Sequence, residues 1–285
     1  MSSILSVFPQ LPIADVVEKL TASLTVSGGW FFHGVQVAGS TLTDGITEFL
    51  QAVPPVAFIL IVVAASYAIT RKNKNRILPI FVALGLLLIY NQQLWSPFID
   101  TLSLIILSSL LSILIGVPLG ILMSKSNRVQ TVITPILDFM QTMPAFVYLI
   151  PAVAFFGIGV VPGVFASIIF ALPPTVRLTN LGIRQVPQEL IEAAEAFGST
   201  EWQKLLKVDL PIARSTIMAG INQTIMLSLS MVVIASMIGA PGLGRDVLSA
   251  LQRAQVGNGF VAGLGIVVLA IIIDRFAQKL NKKGS

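Results

Sequence analysis

Chemistry in a protein chain needs a nucleophile, a set of metal ligands or a docking surface, and this chain offers little of the first two. Cysteine is absent and His33 is the single histidine. That excludes thiolate chemistry, disulfides and a metal site built from histidines. The sequence contains no G-x-x-x-x-G-K-[ST] phosphate loop, so this chain cannot hydrolyse ATP by that route. What remains is a polar stretch, EAAEAFGSTEWQKLLKVDLP, from Glu192 to Pro211. Glu189, Glu192 and Glu195 recur every third residue and form an acidic stripe on a helix. Leu190, Ala194 and Phe197 share an apolar face with Ile191 beside it, and Ala193 and Ala194 leave room for close approach. A small, apolar, acid-edged knob suits a groove in a partner protein. A loop helix packed on its own bundle is the plainer alternative.

The flanking residues predict a helical hairpin. Pro187 suits the first position of a helix, where its missing N–H costs nothing. Gln188 to Phe197 holds good helix formers, and Gly198 supplies a left-handed stop. Thr200 and Gln203 have the spacing of a capping box for a second helix. That helix is expected to reach about Lys207 and to stop before Pro211.

Polar residues inside apolar runs are the second group of candidates. Asp138 and Gln141 read either as part of a translocation path or as a hydrogen-bonded tie between helices. Met140, Met143, Phe146 and Tyr148 flank Pro144. Such aromatics could attract an organic cation, although Met and aromatics at this spacing are more often ordinary packing. Asn222, Gln223, Ser228 and Ser230 could line a path or bond across helices. Gly239–Gly244, GAPGLG, reads as a turn followed by a short helix, Asp246–Gln252. Asn222-Gln-Thr224 matches a glycosylation acceptor only by chance, since it lies within an apolar run.

The elements that must hold these residues are membrane helices. The chain is 55% hydrophobic and 11% charged, against about 25% charged in a soluble domain. Seven apolar runs approach the ~20 residues that a spanning helix needs. They are 52–70, 77–94, 98–123, 131–156, 162–180, 216–238 and 259–274. Pro144 and Pro151 should kink or break the fourth. The fold class expected is an all-α integral membrane bundle of about seven spans.

Basic residues set the direction. Arg71, Lys72, Lys74 and Arg76 form one group; Lys125 and Arg128 a second; Arg177, Arg184, Lys204, Lys207 and Arg214 a third; Arg275, Lys279, Lys282 and Lys283 a fourth. Seven spans put all four groups on one side and leave Lys19, Arg245 and Arg253 on the other. The positive-inside rule then predicts an external N-terminus, a cytoplasmic C-terminus and a cytoplasmic hairpin. A six-span arrangement would scatter the groups. The net charge of +5 thus reads as membrane orientation, with no nucleic acid partner. Ile13, Val16, Val17 and Leu20 have helical spacing, which predicts an amphipathic helix on the outer membrane surface. The aromatics of Gly28–Phe32 would sit at headgroup level. The first thirty residues lack the pattern of a cleaved signal peptide.

The pattern E-A-A, three residues, G, nine residues, then I-x-L-P is the EAA motif of bacterial ABC importer permeases. This chain resembles it at Glu192, Ala193, Ala194, Gly198, Leu210 and Pro211, with Val208 in the usual Ile place. Thr134–Val164 and Gly220–Gly244 resemble the permease subunit of glycine betaine/proline betaine importers. The resemblance implies that Glu192–Gly198 is a coupling helix docking into an ATPase cleft. It implies a separate ABC ATPase carrying ATP and Mg, with no cofactor on this chain. It also implies a separate substrate-binding protein, membrane-anchored or periplasmic, and a second copy of this permease in a bacterial cytoplasmic membrane. The substrate implied is glycine betaine or a related quaternary amine, with choline, carnitine, proline or another amino acid as alternatives. An ATP-independent secondary transporter is the rival class. Asp138, Gln141, Met143, Pro144, Asn222 and Gln223 are the candidate path residues. The domains expected are an interfacial segment 1–51, accessory spans 52–97, a permease core 98–275 with coupling loop 181–215, and a cytoplasmic tail 276–285.

Overall fold

The computed structural model describes residues 12–71 and 76–282, all helix and connecting turns with no strand among them. Lys72, Lys74 and Lys283 lie outside the described residues. In chain order the helices are α1 (Ile13–Ser27), α2 (Gly29–Gln51), α3 (Pro55–Thr70), α4 (Ile77–Asn91), α5 (Trp95–Lys125), α6 (Asn127–Thr142) and α7 (Leu149–Phe156). They continue with α8 (Val160–Arg184), α9 (Gln188–Ala196), α10 (Glu201–Lys204), α11 (Leu210–Ala235), α12 (Leu243–Gln252) and α13 (Val256–Lys282).

Four helices are long and apolar enough to cross a membrane: α5, α8, the run Glu201–Ile238 and Val256–Lys279. The count reaches six if two bent pairs are each one span. One pair is α2 with α3, turned by 90°; the other is α6 with Ala145–Phe156, turned by 112°. The expected run 131–156 is therefore broken, and the break falls at Pro144. Pro144 is extended (φ −57°, ψ 137°) between α6 and a 3₁₀ turn, Ala145–Tyr148. Pro151 breaks nothing, because it falls in the first turn of α7, where a missing N–H is harmless. Helix α4 is apolar but has 15 residues, short of a full crossing.

The N-terminal region holds one helix that the sequence reading did not anticipate. Helix α1 starts at Ile13 as expected, and Ile13, Val16, Val17 and Leu20 are all more than half exposed. The aromatics that follow do not stop there: they open α2, 23 residues long. Phe32 stacks on Phe155 at 4.8 Å and meets Phe156 edge-on, so its ring is held by α7. Gly29, Gly34, Gly39 and Gly45 hide this helix in the sequence, since each lowers helix propensity by about 1 kcal/mol.

The centre of the bundle is α8 clasped between α5 and α11. Close approach is built from small residues. A Cβ on Gly120 of α5 would lie 2.6 Å from Thr179 Cβ and 2.7 Å from the Val176 carbonyl oxygen. One turn away, Gly116 faces Thr175 in the same way. On the other flank, Gly220 of α11 approaches the Pro174 carbonyl of α8. Polar ties finish the contact: Thr224 Oγ1 donates to the Ala171 carbonyl at 2.7 Å and shares a 2.7 Å bond with Thr175. In lipid there is no water to drive helices together, so small-residue packing and such bonds supply the association.

The end of the bundle that carries α9 and α10 gathers most of the basic residues. Arg184, at the end of α8, donates to the Met123 carbonyl and to Asn127 Oδ1 at the α5–α6 junction, both at 2.9 Å. Arg214 opens α11, while Arg275 and Lys279 close α13 at the same end.

Candidate functional site

The hairpin between α8 and α11 has the predicted geometry almost residue for residue. Pro187 (φ −55°, ψ 132°) sits one position earlier than expected, capping α9 instead of opening it. At the other end, Gly198 N donates to the Glu195 carbonyl at 2.9 Å, and Ser199 N to the Ala194 carbonyl at 3.0 Å. This is a Schellman stop, and it needs the left-handed φ of +75° at Gly198. A Cβ there would meet nothing within 4 Å, so the glycine serves backbone conformation alone. Thr200 and Gln203 form the reciprocal capping box, with bonds of 2.9 and 3.3 Å.

The second helix departs from expectation. It does not stop before Pro211 but runs on into α11 through a π turn, Leu205–Asp209. The reason is the proline itself. Pro211 has no N–H to give to the carbonyl four residues back, and an α-helix would crowd that carbonyl. The wider turn, in which Leu210 N donates to the Leu205 carbonyl, relieves both problems. The result is a continuous helical rod, Glu201–Ile238, of 38 residues.

Helix α9 stands clear of the bundle. None of its residues is buried; Leu190 is 46% exposed and Phe197 90% exposed. Glu192 and Ala193 are exposed, while Ile191 and Ala194 are half-buried. Its attachment is electrostatic. Lys204 donates to Glu195 Oε1 and to Glu201 Oε1, both at 2.7 Å, and Lys125 of α5 reaches Glu201 Oε2 at 3.2 Å. Below these pairs, Leu210 packs with Leu205, Ile183, Ala213 and Ile217. Val208 is half-buried and Pro211 exposed. Asp209 is 5% exposed.

The candidate path residues fall into two groups that this chain does not bring together. Asp138 is ion-paired with Arg177 of α8, and Tyr148 donates to the Met140 carbonyl. Met143 packs with Tyr148 and Met231, and Gln141 is exposed. The second group faces α13: Asn222 and Gln223 line a crevice of about 360 Å³ with Asp274 and Gln278. Ser228 is buried and Ser230 bonds within its own helix. Sequence reading missed the Asp138–Arg177 pair and the hub formed by Lys204. The first lies 39 residues apart and carries no local signal; Glu201 and Lys204, three apart, could have been read as a helix pair.

At the opposite end, Gly239–Gly244 is a turn, with φ of +88° at Gly239 and +116° at Gly242. Leu243 N donates to Thr101 Oγ1 of α5 at 2.9 Å. The following helix starts at Leu243, three residues before the expected Asp246. Burial pushes the Asp246 carboxyl above its usual range, with Arg245 opposing.

Residues 112–283 match the family of binding-protein-dependent transport system inner membrane components. The chain is 58% identical over 275 residues to the glycine betaine/carnitine transport permease protein GbuB of Listeria monocytogenes, covering 96% of this chain and 97% of that one. It is 49% identical over 275 residues to the glycine betaine transport system permease protein OpuAB of Bacillus subtilis, covering 96% of each. Among solved structures, the MetNI methionine ABC transporter in an inward-facing conformation is similar in fold, with a TM-score of 0.61 at 20% identity. That match covers 67% of this chain and 96% of the other. With a matched helical core and relatives similar along nearly its whole length, the chain belongs to the binding-protein-dependent transport system inner membrane components, as an ABC transporter permease subunit.

Proposed function

We propose that this chain is the membrane half of an ATP-driven importer of glycine betaine. The observation that carries the reading is near-full-length similarity to permeases named for glycine betaine, joined to an exposed α9 beside a continuous helical rod. The partners are a separate ATPase carrying ATP and Mg, a separate binding protein, and a second copy of this permease. Carnitine is a second substrate reading, favoured by the name of the 58% identical relative.

Glu192, Ala193, Ala194 and Gly198 present the coupling surface, and Val208, Leu210 and Pro211 join it to the core. The exposed apolar face of α9 inserts into an ATPase cleft, with the glutamates meeting basic residues at its rim. Closure of the ATPases moves α9, and Lys204 and the Leu210 cluster carry the movement into α11. The hairpin end faces the cytoplasm, because basic residues gather there. Asp138, Gln141, Met143 and Pro144 are proposed to border the path, where a second copy would complete it. Asn222 and Gln223 have a weaker claim, since they face α13.

The test is uptake of labelled glycine betaine into proteoliposomes holding this chain, its ATPase and its binding protein. Accumulation against a gradient, dependent on ATP at the ATPase side and lost in Gly198→Pro, is the expected result. Stimulated hydrolysis without betaine accumulation would refute the substrate. Accumulation without ATP would refute the importer.

A further inference from the structure

Helices α3, α4, α5, α11 and α13 enclose an open groove of about 350 Å³, in which Asn222 is the one polar lining residue and the only one given a role above. Its wall is apolar, formed by Phe58, Leu102, Ile221, Ile225, Ile272 and Phe276 among others. Of the helices around it, α5, α11 and α13 are long and apolar enough to cross a membrane, and α3 and α4 are apolar. An unfilled apolar gap forfeits dispersion contacts along all its walls, so lipid will enter it.

The helical register says what kind of lipid. On α11 the groove residues Met218, Ile221 and Ile225 continue, one turn back, to Arg214. On α13 the groove residues Leu269, Ile272 and Phe276 continue, one turn on, to Lys279. Residues three and four apart share a helix face, so each apolar stripe ends in a cation. Helix α11 begins and α13 finishes at the hairpin end, so both cations cap the same end of the groove. Neither is ion-paired with another described residue. Asp274, five residues before Lys279, accepts two bonds at 2.8 Å from Gln278.

We propose that this groove binds one acyl chain of an anionic phospholipid, with the phosphate held between Arg214 and Lys279. A small zwitterion such as glycine betaine would lose its hydration against an apolar wall without compensating bonds, so the groove does not suit a second substrate molecule.

Native mass spectrometry of the purified, delipidated full chain tests this by titration. The probes are palmitoyl-oleoyl phosphatidylglycerol, phosphatidylcholine with the same chains, and inorganic phosphate. One phosphatidylglycerol per chain should be retained at about thirtyfold lower concentration than phosphatidylcholine. The double variant Arg214→Gln, Lys279→Gln should erase that preference. Ile225→Trp, which fills the groove, should abolish retention of both lipids, and Leu102→Phe on the facing wall provides the same test if the first variant fails to fold. Equal retention of the two lipids would overturn the proposal, as would retention unchanged by either filling variant. Displacement of the lipid by inorganic phosphate would overturn it too, by showing a headgroup contact without a chain. Loss of a dimer instead of a lipid in the filling variants would assign the groove to a second copy.

Discussion

Gly198 and Gly120 are both required to be glycine, for unrelated reasons, and this separates two kinds of failure. At Gly198 the requirement is a positive φ with open space around it. Gly198→Ala should cost about 1 kcal/mol, confined to the hairpin. The bundle should keep its thermal midpoint in detergent while ATP-driven uptake falls. At Gly120 the requirement is room: a methyl group would stand 2.6 Å from Thr179 Cβ. Gly120→Ala should cost about 1–3 kcal/mol through overpacking and lower the thermal midpoint of the whole chain. Thr224 gives a third residue-scale expectation. Thr224→Val removes the bonds to Ala171 and Thr175 and should cost about 0.6–1.7 kcal/mol, the range for polar ties between membrane helices. Unfolding in mixed micelles would measure it.

The elements differ in how far they could be read from the sequence. The hairpin was legible almost completely, because its signals are local: Pro187, Gly198, Thr200 and Gln203 each act within one turn. The break at Pro144 was legible for the same reason. Helix α2 was not, because packing on α5 and α8 overrides the weak propensity of its glycines. The join of α10 to α11 was misread because a proline normally ends a helix, and only the π turn exempts it. The Asp138–Arg177 pair and the separation of Asn222 from Asp138 depend on tertiary packing, which no spacing encodes. At this scale the electrostatic attachment of α9 is testable. Lys204→Ala removes both 2.7 Å pairs. Amide hydrogen exchange should quicken over residues 188–200 and remain unchanged in α5 and α8. Equal acceleration in α8 would mean that Lys204 supports the core instead.

The molecule as a whole has two unlike ends. One gathers Arg184, Arg214, Arg275 and Lys279 around an exposed helix; the other carries the Gly239–Gly244 turn and α12. The absence of cysteine makes their placement in a membrane directly measurable. Ala193→Cys and Gln255→Cys are both at exposed positions and would each be the single thiol of the chain. A membrane-impermeant maleimide should label the first only from the cytoplasmic side and the second only from outside. Labelling of both from one side would reverse or dismantle the proposed topology.

The rod from Glu201 to Ile238 has a consequence for timing. Its 38 residues extend about 55 Å and enter the Gly239–Gly244 turn without an intervening loop. A hinge between sender and receiver would let the inner end move first and the outer end later, through a long-lived halfway state. Along that route the helix is uninterrupted from Glu201 to Ile238. Dyes placed at residue 202 and at residue 237 should therefore step together in single-molecule recordings, within one frame of each other. A lag between the two would locate the missing joint at the π turn.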